Sequence, residues 1–127
     1  MTIAVALDRL REEIERFGPS GYLLTVAADG RAHCVSVVVN WSGDALVMSA
    51  GNRSLANASA RPLVSLLWAP YEPSGYNLII DADAIADAAS NSITVTPTNA
   101  VLHRNAVAPS EDPSSCGSDC VPLTTAR

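Results

Sequence analysis

The residues best placed to do chemistry lie between Ser49 and Pro62, in the stretch SAGNRSLANASARP. A strand that ends in small residues leads there into a short helix, for which Asn52 is the expected cap. The first turn of that helix holds Arg53 and Ser54. Free N–H groups at a helix start favour an anion. Arg53 adds a permanent charge and a planar donor fork, and Ser49 and Ser54 add hydroxyls. The spacing is not that of a Walker-type loop. On local physics alone, a capped helix with a solvated arginine is favoured over a phosphate cradle.

Other chemistry-bearing residues are more scattered. Cys116 and Cys120 frame the segment Cys-Gly-Ser-Asp-Cys near the end of the chain. Completed by His33 or His103 and a partner chain, they would form a zinc site; a redox-sensing disulfide and a pair of free thiols are the other readings. The bland reading is favoured, so no metal is expected. Asp81, Asp83 and Asp87 share one strand face, where a hard cation is conceivable but a solvated face is favoured. His33 reads as structural or exposed. Trp41 and Trp68 read as core or interface residues, and Cys34 as a small buried apolar one.

The elements that must position these residues follow from hydrophobic periodicity. Ile3, Leu7, Leu10, Ile14 and Phe17 recur at steps of three and four, which predicts an amphipathic helix ended by Gly18-Pro19. Arg9 with Glu13, and Glu12 with Arg16, are spaced to pair on its exposed side. Strands are expected at 21–27, 32–41 and 45–49, forming an antiparallel meander. Asp29-Gly30 marks the first turn as a two-residue type I′ hairpin. In the second of these strands His33, Val35, Val37, Val39 and Trp41 face one way; Cys34, Ser36, Val38 and Asn40 face the other. A helix then runs to Ala60 and is stopped by Pro62. Further strands are expected at 63–68, 76–86 and 92–103, with an edge or a bulge at Pro97. Residues 1–103 therefore make one domain, and 104–127 a Pro/Ser-rich tail. A helix, about six antiparallel strands and a short helix between the third and fourth describe a mainly β protein, either sandwich or closed barrel.

Composition sets outer limits. The chain has 127 residues, 13 of them acidic and 8 basic, for a formal charge of −5. All the basic residues are arginine. No basic run suits nucleic acid or an anionic membrane surface. No apolar run approaches the roughly 20 residues of a spanning helix, and no secretory signal is seen at the N-terminus. A cytoplasmic protein is the expectation. The low aromatic content favours a core completed by a second copy.

Three stretches, YLLTVAADGRAHCVSVVVNW, ALVMSAGNRSLANASARPLVSLLW and NLIIDADAIAD, occur in an order that resembles the pyridoxamine 5′-phosphate oxidase-like family of flavin-binding split barrels. The resemblance covers about residues 5 to 103. It implies a six-stranded antiparallel Greek-key split barrel, a homodimer, and cofactor sites at the dimer interface. The cofactor implied is FMN, with the deazaflavin coenzyme F-420 as the alternative; a few relatives bind haem. The implied activity is oxidation or reduction of a small molecule, and a non-catalytic dimeric binding module is the other reading. Carried over by position, the ring would lie along Val37, Val38, Val39 and Asn40, with Met48 and Ser49 at the end of the next strand. Arg53 and Ser54 would hold the phosphate, and Asn57 would contact ligand or partner. The family's frequent lysine falls at Ser54, leaving Arg53 as the local cation. The arginine-rich C-terminal stretch of true pyridoxamine 5′-phosphate oxidases is absent, which argues against vitamin B6 oxidation. The resemblance assigns no side-chain acid or base.

Overall fold

The structure is a computed structural model and describes residues 1–105. Its strands are β1 (Thr2–Ala4), β2 (Ser20–Val26), β3 (Ala32–Ser42), β4 (Ala45–Ser49), β5 (Leu63–Trp68), β6 (Asn77–Asp87) and β7 (Ser92–His103). The helices are α1 (Leu10–Phe17) and α2 (Asn52–Ala60), and a 3-10 turn at Leu7–Arg9 precedes α1. Every strand pairing is antiparallel, and the order β7-β4-β3-β2-β5-β6 closes because β6 pairs again with β7. Closure makes a six-stranded barrel and settles the choice between sandwich and barrel. Leu23, Leu46, Leu66, Leu78, Ile80, Ile93 and Val95 fill it from alternating positions on all but one of the six strands. Trp68 joins them; its indole N–H donates to the Gly18 carbonyl at 2.9 Å.

Several local expectations are corrected. The first helix begins at Leu10, not near Ile3, because Thr2–Ala4 pairs with Val101–His103 of β7 as a short strand. Leu10 and Ile14 are buried, whereas Ile3 and Leu7 are exposed. A strand edge with unpaired backbone groups outcompetes one more helical turn. Arg9 ends the 3-10 turn and caps α1, and the ion pairs form at i,i+3, Arg9 with Glu12 and Glu13 with Arg16, both at 3.6 Å. The first hairpin has three loop residues, not two. Gly30 donates to the Ala27 carbonyl, Ala27 donates to the Arg31 carbonyl, and only Gly30 takes a positive φ. That is a type I turn followed by a G1 bulge. Asn52 is the first helical residue of α2; Gly51 is the cap, with no side-chain bond.

Pro97 does sit at a bulge, since β6 Asp81 and Ala82 face Asn99 and Pro97 and skip Thr98. The Asn91 carbonyl accepts from Ala50 of the chain following β4, so residues of that parity turn their backbone toward β4. Position 97 has this parity but lies beyond the β4 register, which ends at Leu46 with Val95. A residue with an N–H would leave it unpaired there; proline has none.

Candidate ligand-binding site

The alternation predicted for β3 is observed. Val37 and Val39 are buried, His33, Val35 and Trp41 half-buried, and Cys34, Ser36, Val38 and Asn40 exposed. Cys34 is thus on the outer face, not in the core: it shares the parity of Ser36, and the barrel wall is a single layer there. The backbone of β3 has a second asymmetry. Its first part, Ala32–Val38, pairs with β2, and its last part, Val39–Ser42, pairs with β4. Val39 donates to the Pro19 carbonyl at 2.9 Å, on the β2 side. Residues of opposite parity turn their N–H and C=O groups the other way. For Asn40 that way leads to β4. For Cys34 and Ser36, no strand among the described residues lies there, and β3 has an open edge.

A groove of about 550 Å³ lies at this edge. Its floor is formed by Val37 and Met48, both buried, and Val38 and Val47 add apolar surface. Ser20, Ser36, Asn40, Ser49 and Ser92 supply the polar lining. The volume lies within the roughly 300–1,000 Å³ range of small-molecule sites. An open strand edge with apolar side walls suits a planar heteroaromatic ring, which can hydrogen-bond along one edge and stack by its faces.

Of the expected site residues, the groove brings together Val37, Val38, Asn40, Met48 and Ser49. Val39 faces the core behind them. Arg53 is exposed in the first turn of α2, four residues beyond the end of β4. Ser54 and Asn57 are on the inner face of that helix, at 2% and 5% exposure. Asn57 Nδ2 donates to Thr25 Oγ1 at 3.0 Å, a buried bond that seats α2 against β2. Ser20, Ser36, Val47 and Ser92 were missed in the sequence. Ser92 joins the groove only because β7 pairs with β4, placing it opposite Ser49; no local pattern carries that information.

The remaining candidates lie elsewhere. Arg11 stacks on Trp41, its guanidinium carbon 4.3 Å from the ring centroid, and donates to the Gly43 carbonyl at 3.0 Å. His33 Nδ1 and Trp41 Nε1 are buried without a partner among the described residues. His103 Nδ1 lies 3.0 Å from Thr2 Oγ1. Asp81, Asp83 and Asp87 are exposed, and Asp81 accepts from the Ser65 hydroxyl at 2.9 Å. No cluster of three or more metal-ligating side chains occurs among the described residues. Cys116 and Cys120 lie outside the described residues. No helix among the described residues is long and apolar enough to cross a membrane.

Comparison with known proteins places these features in context. No family model matches the chain. It is 36% identical to uncharacterized proteins of Mycobacterium bovis and Mycobacterium tuberculosis, over 92% of this chain and 93% of each of theirs. Among solved structures, a Listeria innocua protein provisionally assigned as a pyridoxamine 5′-phosphate oxidase aligns with a TM-score of 0.62 at 17% identity, covering 76% of this chain and 96% of that one. An FAD-binding protein of Mycobacterium smegmatis aligns with a TM-score of 0.57 at 14% identity, covering 82% and 100%. An F420 reductase aligns with a TM-score of 0.52 at 19% identity, covering 65% and 90%.

Proposed function

Because this chain belongs to one family with the mycobacterial proteins it matches along nearly its whole length, and has the fold of the pyridoxamine 5′-phosphate oxidase-like split barrels, we propose that it binds a flavin-type cofactor and serves the oxidation or reduction of a small molecule. FMN is the cofactor proposed, with the deazaflavin F-420 as the alternative suggested by the likeness to an F420 reductase. The observation that carries the reading is the groove on the open edge of β3. Its residues fit the group: the N–H and C=O of Ser36 have no strand partner on that side among the described residues, and Val38 and Val47 offer apolar surface to a ring. Val37 and Met48 close the floor and Val39 backs them. Asn40 and Ser49 would orient polar substituents, and Arg53 with the start of α2 would meet a phosphate at that end. Ser54 and Asn57 would act by holding α2 in place.

When bound, the cofactor supplies the electron-transfer chemistry. The chain's share is to hold the ring, to keep water from it with Val38 and Val47, and to polarise its edge with backbone groups. A homodimer is part of the proposal. Tyr22, Val26, Val38 and Leu63 are exposed on the adjoining outer faces of β2, β3 and β5, with Val38 at 57% and Leu63 at 72%. A second copy would bury this apolar face, since large patches of that kind mark interaction sites. A non-catalytic carrier is the second reading, favoured by a groove lining without an acid or base side chain among the described residues.

The test is the absorption spectrum of freshly purified protein, followed by titration with FMN and with the deazaflavin. Visible flavin bands or saturable binding are expected. Ser36→Pro removes an N–H that faces away from β2, so the sheet survives, while binding weakens about tenfold or more, the equivalent of one charge-assisted or buried hydrogen bond. Colourless protein that binds neither compound overturns the proposal. Bound cofactor that no reductant can reduce favours the carrier over the enzyme.

A further inference from the structure

We propose, resting on the flavin-type reading above, that the groove recognises its ligand through the ring and a polyhydroxylated side chain, by neutral groups, and that a phosphate adds little. Among the described residues its polar lining consists of four serines and one asparagine, and none of the lining side chains is charged. The pairing registers place these groups around the apolar strip. Ser49 lies opposite Ser92, Ser20 opposite Val38, and Asn40 opposite Val47. A serine hydroxyl both donates and accepts, as does each hydroxyl of a polyol, so the two sets can satisfy each other in several arrangements. A phosphate can accept from the same hydroxyls, but its negative charge is costly to desolvate without a cation beside it, and the lining offers none among the described residues.

The cation nearest in sequence is Arg53, whose side chain is exposed and makes no hydrogen bond or ion pair among the described residues. It sits outside the groove lining, on a chain of net charge −5. An exposed charge pair in water is screened by salt and by its own hydration. Arg53 and the α2 amides therefore give a phosphorylated ligand an advantage of about twofold to fivefold, the range of exposed ion pairs. The hydroxyl-lined groove supplies the rest of the affinity.

The experiment compares three ligands on the full chain by quenching of flavin fluorescence: FMN, riboflavin, and lumiflavin, which keeps the isoalloxazine ring but carries a methyl group in place of the polyol. Deazariboflavin and its phosphorylated form make a parallel pair, so that a preference for the deazaflavin ring does not confuse the outcome. Riboflavin is expected to bind within about fivefold of FMN, with affinity nearly independent of salt. Arg53→Ala removes the FMN advantage, so that FMN binds no more tightly than riboflavin. Lumiflavin binds about tenfold or more weakly than riboflavin, and Ser49→Ala narrows that difference, as loss of hydroxyl contacts requires. A phosphorylated ligand that binds more than about fivefold tighter than its parent overturns this inference and leaves the cofactor reading intact. Lumiflavin binding as tightly as riboflavin also overturns it. If no ring of either pair binds, the cofactor reading itself has failed.

Discussion

Gly21 offers a direct test of how β2 is held against the core. A Cβ at this position would lie 2.8 Å from Cε2 and 3.0 Å from Cδ2 of Trp68, and 3.1 Å from the Leu67 carbonyl oxygen. Real side-chain carbons essentially never come so close, so Gly21→Ala forces a shift. The indole cannot yield easily. Trp68 is 1% exposed, its N–H is bonded to the Gly18 carbonyl, and β5 is held by β2 and β6 on its two sides. Overpacking of this kind costs about 1–3 kcal/mol, and loss of the indole bond would add about 1 kcal/mol. For a domain of this size each kcal/mol lowers Tm by about 4 °C, so a drop of about 4–15 °C is expected in a thermal melt followed by circular dichroism. Trp68→Leu makes room at the same place. The double variant is then expected to be more stable than the sum of the two single losses by about 1 kcal/mol or more. A Gly21→Ala protein that melts within about 1 °C of the parent would refute the packing argument. Additive losses in the cycle would refute the contact. The strain has a functional consequence, because Ser20 lines the groove one residue away.

Two further perturbations probe the supports of the site. Thr25→Val leaves the buried Asn57 amide without its acceptor, which is expected to lower unfolding free energy by about 1–3 kcal/mol in a denaturant titration; Thr25→Ser, which retains the hydroxyl, should recover most of it. Arg11→Met removes the guanidinium over Trp41 and its bond to the Gly43 carbonyl, joining α1 to the β3–β4 hairpin, and is expected to cost about 0.5–2 kcal/mol with a shift in tryptophan emission. Unchanged emission in that variant would mean that the stacking does not persist in solution.

The six barrel strands were legible to within a residue because one barrel face is core and the other is not. Leu63–Trp68 could be bounded as an apolar run between Pro62 and a proline-containing loop, and Ser92–His103 started at the Ser90-Asn91 turn, before any pairing was known. Misreadings cluster where a local signal competes with a distant partner. Ile3 keeps helical spacing with Leu7 and Leu10, yet its segment joins the edge of β7 nearly a hundred residues away. Asp29-Gly30 is a strong two-residue turn signal, but the register of Val26 with Ala32 leaves room for a longer loop. Cys34 looked apolar in composition and proved exposed by parity.

For the candidate site the division is similar. Val37, Val38, Asn40, Met48 and Ser49 were placed from the sequence through a family resemblance, and the groove gathers them. Ser54 and Asn57 sat in the same helix by sequence, but the rotation of α2 against the barrel turned them inward and left Arg53 outside. Sequence alone determined the alternation of β3, the breaks at Gly18-Pro19 and Pro62, and the acidic, lysine-free charge balance, because each is encoded within a few neighbouring residues. Barrel closure, the open edge at Ser36 and the meeting of Ser49 with Ser92 were decided by the tertiary structure alone, because each depends on which strands lie side by side, and pairing over such distances leaves no mark on the local pattern.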